Sequence, residues 1–356
     1  MPPKKPPSRA GAKPPSRAGA KPPPRRQPAS APLQEETDAE LARAAENACR
    51  QGDAEELAQL LGGRVQLATA ALLRDAAAGS HTACVKCLLT AGAAPHAADA
   101  FGRTALHAAA ERGAVSCAEL LLQAAAAERG RDTALARAAT LQEQGARTAC
   151  HEAARAGAEE LVRALCARGA DVDARDAHSR TPLIEAVRKK HAAVISALLV
   201  DFGAAVSIKD ERGDNALHFA AASGQMRVLR TALERRARQQ GAEREEHAVL
   251  SQAAAAARDF SEGAAYTPLH VSVVAGDVAA AEDLVVLGGV QALLLRDAEG
   301  RTAAELAEEL GRPVAFQRVC DPKRVSRLAL ADEVASVHAN LRQHRQQFAK
   351  ALEPPS

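Results

Sequence analysis

DAFGRTALHAAAERG, residues 99–113, decides how this chain folds. Phe101-Gly102-Arg103 is turn-like. Thr104 can cap a helix N-terminus with its side-chain oxygen, and Gly113, nine positions on, can take the left-handed conformation that ends a helix. Between them Leu106 points toward a core, and small alanines let a second helix approach closely. That helix follows at once, as VSCAELLL from Val115.

The same grammar recurs along the chain. Thr148-Ala-Cys-His151 ends at Gly157, and Thr181-Pro182-Leu183-Ile is followed by Lys190 where Gly is expected. Asn215-Ala-Leu217-His218 ends at Gly224, and Thr267-Pro268-Leu269-His270 ends at Gly276. Thr302-Ala-Ala-Glu ends at Gly311 and, upstream, Ala70-Ala-Leu-Leu ends at Gly79. The starts lie 34, 44, 33, 34, 52 and 35 residues apart, a period of 33 to 34 broken by two insertions. Pro182 and Pro268 fall in a first helical turn, where proline is tolerated. Second helices such as ELVRALCARG, from Glu160, lead into GADVDARD (169–176), whose Gly and Asp suit an extended turn.

GADVDARDAHSRTPL (169–183) and YTPLHVSVVAGD (266–277) closely resemble the signature of the ankyrin repeat family, and the resemblance covers roughly residues 38–316. It implies an all-α solenoid of about six to seven units, each a helix–turn–helix with a β-turn finger. Residues 38–62 resemble a degenerate first unit, and the unit from Thr302 an incomplete last one. The resemblance also implies that His107, His151, His218 and His270 hydrogen-bond between neighbouring repeats. Cys150 in place of the core Leu, Ile184 and Glu305 in place of His, and Lys190 in place of Gly mark units expected to be less regular.

Composition agrees with helix packed on helix. Of 356 residues 47 % are hydrophobic but only 2 % aromatic, so Ala, Leu and Val must close the core. No apolar run is long enough to span a membrane, and the N-terminus lacks the apolar core of a secretory signal. Seven scattered cysteines suit a reduced intracellular protein.

The net charge of +2 hides an asymmetry: residues 1–34 hold eight Lys or Arg and no acid, leaving 38 basic and 44 acidic residues elsewhere. KPPSRAGA occurs at 5–12 and again at 13–20, and KPPPRRQP begins at Lys21. Eleven prolines within the first 32 residues make 1–36 an expected disordered tail. Spaced positive charge attracts a polyanion, whether acidic tubulin tails, nucleic acid or anionic membrane; the alternative is a solvated spacer. The tail has no aromatic residue on which single-stranded bases could stack.

Catalytic and cofactor motifs are missing: no phosphate-binding loop, nucleophile elbow or dinucleotide fingerprint occurs, and HEAAR (151–155) lacks the second His of a zinc-protease helix. Cys84-x-x-Cys87 has no second pair nearby and reads as two small core residues. No enzyme, metal or cofactor is expected. Function is therefore expected in protein binding, as a scaffold or adaptor.

In the resembled family, partners meet the turn tips and the exposed face of each first helix. On this chain those positions are Phe101, Arg103, Glu111 and Arg112; Arg147 and Arg155; His178, Arg180, Arg188 and Lys189; Glu211, Arg212 and Asp214; and Tyr266. In the middle three units the basic members face one acid, Glu111. This suggests a basic concave groove for an acidic partner segment with Phe101 as an apolar anchor, the alternative being solvated repeat tips.

The insertions, near 124–145 and 235–263, suit extended helices and loops. In 323–356, Leu330, Val334, Val337, Leu341, His344, Phe348 and Ala351 follow a heptad-like spacing. A helix there either caps the last repeat or pairs with another coiled coil. A cytoplasmic protein is expected, attached to the cytoskeleton in one reading; in another it is a nuclear regulator, with Lys21 to Arg26 as import signal.

Overall fold

The computed structural model describes residues 32–62, 69–129, 146–240, 253–254 and 266–319. The tail before residue 32, most of both insertions and the segment 323–356 lie outside the described residues. Contacts divide the chain into Met1–Leu41 and Ala42–Ser356. Helix α1 (Pro32–Gln51) begins inside the segment expected to be tail. Pro32 suits a first helical position, and Leu33, Gln34, Glu35 and Glu36 are good helix formers.

The second unit is a succession of short helix pairs. After α1 and α2 (Ala54–Leu61) come α3 (Ala70–Ala78) with α4 (Thr82–Thr90), and α5 (Ala105–Arg112) with α6 (Val115–Arg129). Next are α7 (Ala149–Ala156) with α8 (Glu159–Ala167), and α9 (Pro182–Lys189) with α10 (Ala192–Ser196), which runs on into a π turn at Ala197–Asp201. The series ends with α11 (Ala216–Ser223) and α12 (Met226–Gln240), α13 (Pro268–Ala275) and α14 (Val278–Leu294), and α15 (Ala303–Glu309) and α16 (Pro313–Val319). First helices α3, α5, α7, α9, α11, α13 and α15 pack side by side in one layer, and second helices form the other. This is an all-α solenoid; among the described residues the β content is one isolated bridge, Arg296 to Thr302.

Small residues make the close packing. Ala105, Ala109, Ala110, Ala149, Ala153, Ala154, Ala186, Ala216, Ala220 and Ala221 are buried, with Leu106, Leu183, Leu217 and Leu269 pointing between the layers. Second helices contribute Leu121, Leu122, Leu161, Leu165, Ile195, Leu198, Leu229 and Leu284. The α6 and α12 helices run 15 residues against nine for α8, so each interrupted unit begins its insertion as a longer second helix.

The π turn has a cause in the spacing. Thr181 lies 34 residues before Asn215, but Thr148 only 33 before Thr181. Both fingers run 12 residues from the left-handed glycine, Gly169 or Gly203, to the next cap, so the extra residue falls in the second helix. Widening one turn to i→i+5 absorbs it while Leu198 and Leu199 stay buried.

Two local expectations change. The cap of α3 is Thr69, whose hydroxyl accepts from Leu72 N–H at 3.4 Å, not Ala70. Gly79 is right-handed (φ −79°), and Ser80 takes the left-handed turn (φ 60°). This first helix carries extra residues, which displaces its end.

The unit that carries Lys190 is the one with the π turn, but its first helix ends regularly: Lys190 adopts the left-handed conformation itself (φ 63°), and its N–H bonds to the α9 carbonyls as Gly157 does on α7. A side chain in that region is strained by about 1 kcal/mol. Lys190→Gly is therefore expected to stabilise the chain by about 0.5–1 kcal/mol, read from the denaturant midpoint. An unchanged or lowered midpoint contradicts this account.

Candidate functional site

The first-helix layer is positioned by two hydrogen-bond devices. In four of the fingers among the described residues one Asp accepts two backbone N–H groups: Asp99 from Phe101 and Arg103, Asp176 from His178 and Arg180, Asp210 from Arg212 and Asp214, and Asp297 from Glu299 and Arg301. Each lies five positions before the capping Thr or Asn. That recurring spacing was a readable signal, but the sequence reading did not single these residues out. For Asp99 and Asp297, burial raises the carboxyl pKa, but the backbone hydrogen bonds together with the nearby arginines, Arg74 and Arg103 for Asp99 and Arg301 for Asp297, outweigh it and hold both below the usual range.

The second device is the motif histidine. Thr148 N–H donates to His151 Nδ1 (3.2 Å), and His151 Nε2 lies 2.9 Å from the Arg180 carbonyl in the next unit. A carbonyl only accepts, so Nε2 carries the hydrogen and Nδ1 the lone pair, which fixes the neutral ring in one tautomer. His107 reaches Arg147 O, His218 reaches Tyr266 O and His270 reaches Arg301 O in the same way. Burial lowers the pKa of His151 and His270, outweighing the bond to the next unit that favours the charged form.

The substitutions are now intelligible. Glu305 replaces His and still completes a capping box with Thr302, but a carboxylate has no hydrogen to donate onward. Ile184 makes no bridge; there the fingers pair instead, Glu211 N–H to His178 O at 3.0 Å and His178 Nδ1 to Glu211 Oε1 at 2.9 Å.

Two histidines not singled out by sequence make a return link. His191, just before α10, reaches back to Arg155 O (3.0 Å) at the end of α7, and His81 does the same to Arg50 O (3.2 Å). Their rings lie against Gly157 and Gly52.

On this frame the expected partner-facing residues fall as follows. Phe101 stands out at 59 % exposure, and Arg112, Lys189 and Arg212 are exposed without an ion pair among the described residues. Arg103 pairs with Glu111 (2.5 Å), and Arg155 reaches Glu111 (3.3 Å) from the next first helix. Burial pulls the Glu111 pKa up, but Arg103 and Arg155 outweigh it and hold this carboxyl below its ordinary value. Tyr266 is half-buried, its ring stacked on His270 with centroids 6.0 Å apart.

The count of a single acid in the middle units is too low. Glu152, its side chain 2 % exposed, binds Arg147 (3.0 Å) and Arg155 (2.5 Å). Glu185 binds Arg188 (2.7 Å) and approaches Arg180 (3.8 Å). Both glutamates occupy the fourth position after the capping Thr, an inward-facing position in a short helix, so they are hidden beneath the arginines they hold. A cleft of about 400 Å³ remains between the two units, lined by Arg147, Arg155, Arg180, Arg188, Lys189 and His178, with Asp176 and Glu185 as its acids.

The cysteines are packed rather than gathered. Cys84 is buried and Cys87 half-buried, and the described residues hold no group of three or more metal-ligating side chains. Cys150 fills the core Leu position, with its Sγ 3.9 Å from that of Cys166 on the facing helix. The hydrogen bond with Cys166, together with burial, pushes the Cys150 thiol pKa up. Among the described residues no helix is long and apolar enough to cross a membrane.

Stacked helix pairs, Asp-braced fingers and histidine bridges define an ankyrin-repeat protein. The family model for ankyrin repeats matches the chain in three copies, within residues 72–176 and 126–210; the chain carries ankyrin repeats. Over 150 residues it is 38 % identical to the B-cell lymphoma 3 protein homolog of Mus musculus, covering 41 % of this chain and 31 % of that one. It is 34 % identical over 152 residues to the B-cell lymphoma 3 protein of Homo sapiens, with the same coverage. A shorter match, 39 % over 83 residues, covers 23 % of this chain and 5 % of an E3 ubiquitin-protein ligase, KEG, of Arabidopsis thaliana. The chain thus spans about a third of the length of the first two relatives and far less of the third.

Proposed function

Ankyrin repeats bind protein partners, and we propose that this chain is a non-catalytic scaffold or adaptor whose first-helix face takes an acidic segment of one. The observation that carries the reading is the cleft in which Arg147, Arg155, Arg180, Arg188 and Lys189 converge over only two lining carboxylates. Fixed positive charge on a preorganised face steers a negative segment and selects against others. Phe101, exposed one unit away, offers an apolar anchor of the kind that concentrates binding energy.

A second reading rests on residues 1–34, whose eight basic side chains with no acid suit a polyanion such as tubulin tails or nucleic acid, with the chain held on the cytoskeleton or in the nucleus. One experiment separates the two: quantitative pull-down from cells with full-length chain, residues 35–356, and full-length Arg112→Glu/Lys189→Glu. Those two cations are exposed and without ion pairs among the described residues, so their reversal leaves the frame intact. A groove partner weakens about tenfold with the double reversal and is retained by residues 35–356. Loss only with the tail makes the chain a polyanion anchor. Full retention by the groove variant sinks the groove reading.

A further inference from the structure

We infer that the cleft between α7 and α9 is a phosphate subsite, taking a phosphorylated serine or threonine side chain of the bound segment; this rests on the groove reading above. Two successive units carry the same arrangement, Arg-Thr-x-x-x-Glu-x-x-Arg: Arg147-Thr148 with Glu152 and Arg155, then Arg180-Thr181 with Glu185 and Arg188. In each, the buried carboxylate stands between one arginine from the finger and one from its own helix. Among the described units the arrangement is confined to these two; the Thr104 unit has Ala108 and the Thr302 unit Leu306 at the glutamate position.

Each glutamate acts as a strut. It cancels one of two positive charges and holds the guanidinium groups in place, so less side-chain freedom is lost when a ligand arrives. Donors are left over. Arg155 uses Nε and Nη2 on carboxylates, leaving Nη1, and Arg188 uses Nη1 on Glu185, leaving Nε and Nη2. Arg180 keeps its Nη groups, Nη1 lying 3.8 Å from Glu185 and beyond a bond, while its Nε is buried against Asp210 Oδ2 at 3.9 Å and is not counted among the donors offered to the cleft. Lys189 adds a further cation at the rim.

That donor set suits a phosphate better than a carboxylate. A phosphoryl group carries close to two negative charges and three terminal oxygens, enough to engage guanidinium groups from both units at once. A glutamate side chain has one charge and two oxygens, enough for one clamp. The cleft, about 400 Å³, admits a phosphoseryl side chain and its flanking backbone. Arginine forks, which match phosphate geometry, dominate the site over lysine.

The test uses the full chain and three short glutamate-containing peptides, identical except for one central residue: phosphoserine, glutamate or serine. Titration calorimetry at constant ionic strength is expected to find the phosphoserine peptide about tenfold tighter than its glutamate twin. Lys189→Gln and Arg188→Gln should each shrink that ratio, and Arg112→Gln, on α5 outside the cleft, should leave it unchanged. Lys189 has no ion pair among the described residues, so its variant stays informative even if Arg188→Gln unfolds. Phosphoserine and glutamate peptides binding within twofold of each other, or a ratio that survives both cleft variants, overturns the phosphate subsite while leaving the acidic-groove reading standing. If no peptide binds, both fall.

Discussion

His151→Ala is expected to lower stability by about 3–4 kcal/mol. The imidazole is fully buried and occupied at both nitrogens, accepting from Thr148 N–H and donating to Arg180 O. Truncation strands a buried donor and a buried acceptor, each costing about 1–3 kcal/mol, and leaves a cavity besides. The variant should also alter the pH response. His151 is held neutral, its pKa lowered from the ordinary 6.5 chiefly by burial. An unfolded chain therefore binds a proton that the folded chain refuses. Its contribution is complete above pH about 6.5 and is lost as pH falls below that toward the depressed folded value. His270 acts in the same window and the same direction. The wild-type midpoint should thus fall on acidification from pH 7 to 5, with a slope of up to about 1.4 kcal/mol per pH unit from each such histidine. His151→Ala should show a shallower slope in that window. A wild-type profile flat from pH 7 to 5 rules out the neutral, doubly bonded ring.

Gly157→Ala is expected to cost about 1.5–2.5 kcal/mol, and Gly224→Ala only about 1. Both glycines end a first helix in the left-handed region, at φ 79° and 74°. Any side chain there costs about 1 kcal/mol. The difference is what stands over them. A Cβ on Gly157 would lie 2.6 Å from His191 Nδ1, whereas on Gly224 its nearest neighbour is Asp277 Oδ2 at 3.7 Å. Alanine at 157 must therefore push the imidazole away and break its bond to Arg155 O, worth about another 0.5–1.5 kcal/mol. Paired denaturation curves with His191→Ala as second site give the check. In that background the cost of Gly157→Ala should shrink to that of Gly224→Ala. Equal costs for the two glycines in the wild-type background would show that His191 carries no such role.

The register of the repeats was legible because each of its signals is local. A Thr or Asn cap, a Gly nine residues on and a buried Leu act within a few residues of one another, and backbone geometry fixes what each must do. So Thr104, Thr148, Asn215 and Thr267 all cap helices where the motif places them. The candidate site was half legible. Arg147, Arg155, Arg180, Arg188 and Lys189 were named by repeat position, and they line one cleft. The acids beneath them were missed, because a glutamate at the fourth helical position was not counted as facing the surface at all.

By itself the sequence determined the all-helical repeat, its period, the first-helix caps from Thr104 to Thr302 and the arginines of the middle units, but not the glutamates that hold them. Stacking alone decided the partners: Glu111 with Arg155, 44 residues on, and His191 with Arg155 O, 36 residues back. Caps and turns are set by neighbours along the chain. Ion pairs and bridges between repeats exist only once the first-helix layer has brought distant segments within a few ångströms, and no spacing along a single unit encodes that distance.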